Sequence, residues 1–102
     1  MLIYNTTYQI EDEVLSTFLI WLKECYIPQV EMVGMLKKPR LCEVLSHRNE
    51  DGGSSYSLQW EVESSLLLHR WHTEQGRQLN EDLIHIFNNR VVGFPTLMEV
   101  KE

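Results

Sequence analysis

The most regular feature of the sequence is the alternation of apolar and polar side chains over residues 55–63. One set of alternate positions is apolar: Tyr56, Leu58, Trp60 and Val62. Because successive side chains of a strand point to opposite faces of a sheet, this pattern predicts a strand with one buried face. A strand needs neighbours, so the rest of the chain must supply a sheet.

Three further segments, residues 2–10, 40–47 and 91–100, are predicted to be strands from their apolar, β-branched and aromatic side chains. Pro95 places the last of them at a sheet edge or at a bulge, because proline lacks an amide donor. Residues 49–54 contain Asp-Gly and Gly-Gly, which supply the positive φ angles of tight turns. We therefore predict that the second and third strands form an antiparallel hairpin.

Two segments have the three- and four-residue apolar spacing of amphipathic helices. The first begins at the carboxylates of residues 11–13, which favour a helix N-terminus. Pro28 is expected to kink or end this helix, and Gly34 is a plausible stop. Its predicted apolar stripe consists of Val14, Phe18, Trp21, Leu22 and Cys25.

The second helix is predicted to begin at the capping residues Ser64 and Ser65 and to end at Asn88 and Asn89. Gly76 inside it marks a break or a close contact, since glycine costs about 1 kcal/mol against alanine there. The predicted apolar stripe consists of Leu68, Trp71, Gln75, Leu79, Leu83 and Ile86.

The predicted order is strand, helix, strand, strand, helix, strand, in two halves that repeat. The sequence Gln-Ile-Glu-Asp at residues 9–12 is echoed by Glu-Val-Glu-Ser at residues 61–64. Because βαβ connections are right-handed, this order predicts an α+β, ferredoxin-like βαββαβ fold. Its four-stranded antiparallel sheet has both helices on one face and the first and third strands in the centre. We expect residues 1–102 to form a single domain.

The direction of Ile10 and Val62 assigns the two faces of this sheet. If both face the helices, so do Tyr4, Tyr8, Tyr56 and Trp60, because side chains alternate. The other face then carries a polar stripe that includes Asn5, Gln9, Gln59 and Glu61, flanked by edge residues such as Cys42, Val44, Phe94 and Met98. A sheet covered on one side needs solvent or a partner on the other. We predict a homodimer through this face, and the alternative is a monomer with a wet sheet face.

Composition excludes several classes of function. The net charge of -6 and the absence of a basic cluster longer than Lys37-Lys38 argue against nucleic acid and against an anionic membrane surface. No apolar run approaches the roughly 18 residues of a membrane span, and the first ten residues lack the pattern of a secretory signal. Cys25 and Cys42 are interpreted as reduced core thiols of a cytoplasmic protein.

Four segments resemble an uncharacterised bacterial family of domains of unknown function, and the resemblance covers nearly the whole chain. They are residues 3–7 (IYNTT), 21–28 (WLKECYIP), 56–60 (YSLQW) and 94–99 (FPTLME). This family resembles the ferredoxin-like dimeric α/β barrels, which implies a fold and a dimer but no catalytic residues. Other such barrels include cofactor-free monooxygenases, heme-degrading enzymes and modules that bind small ligands, and fold alone does not choose among them.

The candidate ligand-binding residues are Tyr4, Trp60 and His72, which would line a pocket between sheet and helices if one exists. His72 is the nearest plausible acid or base, because histidine titrates near neutral pH. His69 and His72 have a spacing that suits a metal, with His85 as a possible third ligand, but no His-Glu-x-x-His pattern is present. We therefore expect no metal and no cofactor.

The leading hypothesis is a non-catalytic homodimeric module that binds a small ligand or a protein. The alternative is a small cofactor-independent enzyme, of the monooxygenase or isomerase type, with its pocket between sheet and helices. A cavity beside Tyr4, Trp60 and His72 is the feature that would separate a ligand site from a packed core.

Overall fold

A computed structural model of the chain describes residues 1–46 and 52–102. Its strands are β1 (Leu2–Ile10), β2 (Lys37–Glu43), β3 (Ser54–Val62) and β4 (Val91–Glu99). The first helix, α1, follows β1 and consists of a 3-10 turn (Asp12–Val14), an α segment (Leu15–Trp21), a π turn (Leu22–Tyr26) and a second α segment (Ile27–Val33). The second helix, α2, follows β3 and consists of Ser65–Trp71, a π turn (His72–Gly76) and Arg77–Phe87, after which Asn88–Arg90 form a 3-10 turn.

The four strands form one antiparallel sheet in the order β2-β3-β1-β4. β1 and β3 are central, and Thr6 lies opposite Leu58 in the middle of their register. With two helices on one face, this is the predicted α+β ferredoxin-like fold. β4 is an edge strand, as Pro95 indicated.

The hairpin between β2 and β3 is antiparallel, as predicted. β2 begins before Arg40 and includes a register shift between Lys37 and Arg40. Gly52 and Gly53 have φ angles of 84° and 91°, in the left-handed region that the turn prediction required. The other predicted turn residues, Asn49, Glu50 and Asp51, and the predicted end of the strand at His47 lie outside the described residues.

Helix α1 passes through Pro28 and continues to Val33, so of the two outcomes expected at this residue, a kink or an end, the helix does not end there. The amide of Ile27 donates to the carbonyl of Leu22, one residue beyond the α-helical partner, and this bond closes the π turn. Pro28 therefore falls in the first turn of the next α segment, where a missing amide is tolerated. The helix ends at Gly34, whose φ of 81° confirms the predicted stop.

The π turn also changes which residues of α1 are buried. The buried row is Phe18, Leu22, Tyr26 and Val30, at every fourth position. In a regular α-helix such a row drifts around the axis, but a π turn holds more residues per turn and reverses that drift. The predicted core position of Cys25 is consequently wrong, because its side chain is exposed. The predicted core position of Cys42 is also wrong, because its side chain is exposed on the edge strand β2.

Helix α2 shows the same effect more mildly. Ser64 caps its N-terminus as predicted, since its hydroxyl accepts from the amide of Leu67 at 3.1 Å. The helix ends before Asn88, also as predicted. At that end Phe87 is buried and Ile86 is about half exposed, so the predicted stripe is shifted by one residue.

The core lies between the helices and one face of the sheet. Alternate residues of the central strands are buried there: Tyr8, Ile10, Leu58, Trp60 and Val62. Tyr8 packs edge-on against Phe18 of α1 with ring centroids 5.0 Å apart. The predicted assignment of the two sheet faces is therefore correct. In the described part of the chain, no helix is long and apolar enough to span a membrane.

Candidate functional site

A cavity of about 270 Å³ lies between the sheet and α2, on the side of β1 and the edge strand β4. The strand residues that line it are Tyr4, Thr6, Tyr8, Gly93 and Pro95. Its helical walls come from Tyr26 of α1 and from Trp71, His72, Gly76, Leu79, Asn80 and Leu83 of α2. His72 and Asn80 are exposed, so the cavity reaches solvent along α2.

Three tyrosines, two from β1 and one from α1, meet at this cavity. Burial raises the pKa of Tyr8 well above its ordinary value, and the neighbouring Tyr4 raises it further. Burial likewise raises the pKa of Tyr26, with added contributions from Tyr8 and Tyr4. The hydroxyls of Tyr8 and Tyr26 therefore stay protonated at neutral pH, and they interact with each other by hydrogen bonding.

The indole ring of Trp71 forms one wall of the cavity. It lies 6.0 Å from the ring of Tyr4, centroid to centroid, and its Nε1 donates to Oε1 of Gln75 at 2.8 Å. A Cβ atom at Gly76 would lie 2.6 Å from Cζ3 of Trp71. The close contact predicted for Gly76 is therefore present, and it is made by an aromatic ring that lies directly against the helix backbone.

The lining contains no Asp, Glu, Lys or Arg among the described residues. His72 is the one histidine in the described lining. Because burying an ion without a partner costs several kcal/mol, this cavity suits an uncharged molecule better than a charged one. Its polar groups are hydroxyls, an amide and an imidazole, and these recognise oxygen and nitrogen atoms by hydrogen bonding.

Two of the three predicted ligand-binding residues, Tyr4 and His72, lie together at the cavity. Trp60 does not line it: its side chain is 1% exposed and lies in the packed part of the core, and its Nε1 has no hydrogen-bond partner in the part of the chain that the structure describes. Sequence reasoning missed Thr6 and Tyr26. Thr6 follows from the alternation of β1, whereas Tyr26 reaches the cavity only because of the π turn.

The two histidines considered for a metal, His69 and His72, are both exposed on α2. Among the residues that the structure describes, no three His, Cys, Asp or Glu side chains are placed to hold a metal ion together. A wider depression of about 480 Å³ lies between the end of α1 and the start of α2. Its lining residues are mostly at the surface, Val62 being the buried one, so it is a groove and not an enclosed site.

Comparisons with known proteins agree with this fold. A family model described as "Domain of unknown function (DUF4286)" matches residues 1–101. No curated protein sequence matches the chain. Among solved structures, the chain is similar to a proposed antibiotic biosynthesis monooxygenase from Deinococcus radiodurans, with a TM-score of 0.68, 14% identity, and coverage of 100% of this chain and 94% of the other.

A dimeric ferredoxin-like protein from an uncultured marine organism is also similar, with a TM-score of 0.63 and 14% identity over 97% of each chain. At this level of identity, the two similarities establish the ferredoxin-like fold, and function has to be argued from the site.

Proposed function

We propose that this chain, which belongs to the DUF4286 family of domains of unknown function, is a homodimeric module that binds a small uncharged ligand in the cavity between the sheet and α2. The observation that carries this proposal is a cavity of about 270 Å³ whose described lining contains one histidine, His72, and no Asp, Glu, Lys or Arg. An apolar recess with a few convergent polar groups is the usual form of a small-molecule site.

The size and the walls of the cavity narrow the ligand further. An apolar cavity of roughly 150 Å³ accommodates benzene, so this one has room for a bicyclic aromatic molecule. The rings of Tyr4 and Trp71 offer flat apolar surfaces. The protonated hydroxyl of Tyr8 suits a ligand that carries a hydroxyl or carbonyl oxygen.

Ligand binding can be tested by isothermal titration calorimetry with two probes of similar shape, neutral 1-naphthol and anionic 1-naphthoate. We expect naphthol to bind at least about tenfold more tightly, a difference of about 1.4 kcal/mol. Tyr4→Phe should weaken naphthol binding, because the hydroxyl at the cavity is lost. Tyr56→Phe is the matched control, since Tyr56 occupies the equivalent position on β3 and does not line the cavity. Equal affinity for both probes, or no binding, would contradict the proposal.

The proposed dimer is supported by the outer face of the sheet, which the helices leave uncovered. β4 presents three apolar residues there, Val92, Phe94 and Met98, each 40–50% exposed. At the centre, Asn5 donates to Oγ1 of Thr7 at 3.1 Å and accepts from the hydroxyl of Ser57. Its polar groups are thus largely satisfied within the sheet, so covering this face leaves few of them unpaired.

Charge also favours a second copy as the occupant of this face. The chain has a net charge of -6. On the outer face of the sheet, however, the described strand pairing places one acidic residue and two basic ones: Glu61, Lys37 and Arg40. The excess carboxylates therefore lie elsewhere and would not repel each other across a sheet-to-sheet contact. The description of one structural neighbour as dimeric adds support.

A small cofactor-independent enzyme is the second candidate, and His72 at the cavity mouth is the observation that favours it. The neighbour described as a proposed monooxygenase adds support. Incubation of bound 1-naphthol in air, followed by mass spectrometry, separates the two functions. Unchanged naphthol favours the binding module, whereas a product that is absent with His72→Gln favours the enzyme.

A further inference from the structure

The two halves of the fold can be compared position by position. β1 and β3 each contain nine residues, and each helix has a seven-residue α segment followed by a five-residue π turn. The α segment ends in tryptophan in both halves, at Trp21 and Trp71. The chain therefore supplies an internal reference: the space between β3 and α1 corresponds to the space between β1 and α2, where the cavity lies.

Four positions differ systematically between these two spaces. They are the fifth and seventh residues of the central strands and the first and fifth residues of the π turns. In the half formed by β3 and α1 they carry large residues that are 1%, 1%, 0% and 8% exposed: Leu58, Trp60, Leu22 and Tyr26. Of these four, Tyr26 also reaches the cavity and lines it. Between β1 and α2 they carry smaller or more polar residues, all of which line the cavity: Thr6, Tyr8, His72 and Gly76.

We propose that these four differences make one half of the repeated fold a packed core and the other half a ligand site, and that Gly76 sets the size of the ligand. This inference rests on the proposed binding function. A random packing defect would not coincide with all four corresponding positions, whereas a binding site requires that large apolar residues be absent from each of them.

Gly76 acts through Trp71. Without a side chain at position 76, the indole lies against the helix backbone, and a Cβ there would be 2.6 Å from Cζ3 and 2.9 Å from Cη2. The contact can be relieved only by moving the ring, and the hydrogen bond from Nε1 to Gln75 restrains that movement. Because both residues line the cavity, any displacement of the ring changes the space that the ligand occupies.

The direct test replaces two cavity residues with the corresponding residues of the packed half. Thr6→Leu copies Leu58, and His72→Leu copies Leu22. We expect each variant to bind 1-naphthol at least about tenfold more weakly. Thr6→Leu should also unfold at a higher temperature, by roughly 2 to 8 °C, because its larger apolar side chain fills open space. His69→Leu is the matched control: it adds the same side chain to α2 outside the cavity, and its naphthol affinity should equal that of the wild type.

Gly76→Ala should weaken naphthol binding. Smaller phenols of the same charge should bind this variant no more tightly than they bind the wild type. Since this variant risks poor folding, Thr6→Leu and His72→Leu carry the decision. If the wild type binds naphthol and these two variants bind it equally well, the inference is overturned while the binding function stands. A lower unfolding temperature for Thr6→Leu would also overturn it, because position 6 would then not face open space. If the wild type binds no naphthol, the proposed function itself fails.

Discussion

The indole Nε1 of Trp71 donates a hydrogen bond to Oε1 of Gln75 over 2.8 Å. The Nε2 of the same glutamine donates to the backbone carbonyl of Gln29 over 2.9 Å, which links α2 to α1. One side chain therefore fixes the cavity wall and the relative position of the two helices. Both bonds involve a residue of the α2 π turn, so an irregularity in the helix supports the tertiary structure directly.

Replacing Gln75 with alanine should lower the free energy of unfolding by about 1–3 kcal/mol. The substitution leaves the buried indole N–H of Trp71 without an acceptor, and an unsatisfied buried donor carries this cost. Urea unfolding followed by circular dichroism measures the change. Gln78→Ala is the control, because the hydrogen bond that the described residues give Gln78 is an exposed one to Asp82. Its effect should stay below about 0.5 kcal/mol. Equal effects at the two positions would contradict the role assigned to Gln75.

The two buried tryptophans should respond differently to phenylalanine. Trp60 and Trp71 are 1% and 2% exposed, so each substitution removes a similar volume. Nε1 of Trp60 has no hydrogen-bond partner among the described residues, whereas Nε1 of Trp71 is bonded to Gln75. Trp60→Phe removes an unsatisfied donor and Trp71→Phe removes a satisfied one, so we expect Trp71→Phe to be more destabilising by about 1 kcal/mol. Urea unfolding of both variants tests this, and a larger loss for Trp60→Phe would contradict it.

The sequence predicted the fold because its strands alternate and its helices have apolar stripes. The buried face of β3 was predicted from its alternate apolar residues, Tyr56, Leu58, Trp60 and Val62. The expected direction of Ile10 and Val62 then assigned the two faces of the whole sheet. These patterns report burial directly, since each follows from the geometry of one element. The capping residue Ser64 and the stop at Gly34 were predictable for the same reason, because each acts within a single turn.

The site was only partly predictable because it depends on two π turns. Periodicity assumes regular helices, and so it placed Cys25 in the core and gave no role to Tyr26. In the folded chain Tyr26 is buried and Cys25 is exposed. Trp60 was predicted to line the pocket because it is aromatic and faces the helices. Tyr8, which occupies the corresponding position on β1, lies at the cavity instead. The comparison of the two halves distinguishes the cavity position of Tyr8 from the packed position of Trp60.

Stability should fall steeply at alkaline pH. Burial raises the pKa of Tyr8 and Tyr26 in the folded state above the value of about 10 that tyrosines have in the unfolded chain. Above about pH 10 the unfolded chain loses these protons while the folded chain keeps them. Their stabilising contribution is therefore complete below about pH 10 and is lost as pH rises further.

Urea unfolding between about pH 9 and about pH 11.5 measures this loss. Each tyrosine that is still protonated in the folded state contributes a slope of up to about 1.4 kcal/mol per pH unit. Tyr8→Phe should reduce the slope by that amount whatever its effect at neutral pH. An unchanged slope in this variant would show that Tyr8 ionises as readily in the folded chain as in the unfolded one.

The proposed dimer predicts opposite outcomes for two exposed apolar residues. Phe94, on the outer face of the sheet, and Ile84, on α2, are 50% and 54% exposed. Phe94→Glu places a charge in the proposed contact, and burying an unpaired carboxylate there costs several kcal/mol. Light scattering at micromolar concentration should therefore give the mass of a dimer for the wild type and for Ile84→Glu, but the mass of a monomer for Phe94→Glu. A monomer mass for the wild type, or dissociation by Ile84→Glu alone, would contradict pairing through the sheet. Phe94 lies on the outer face of β4, whereas Ile84 lies on α2.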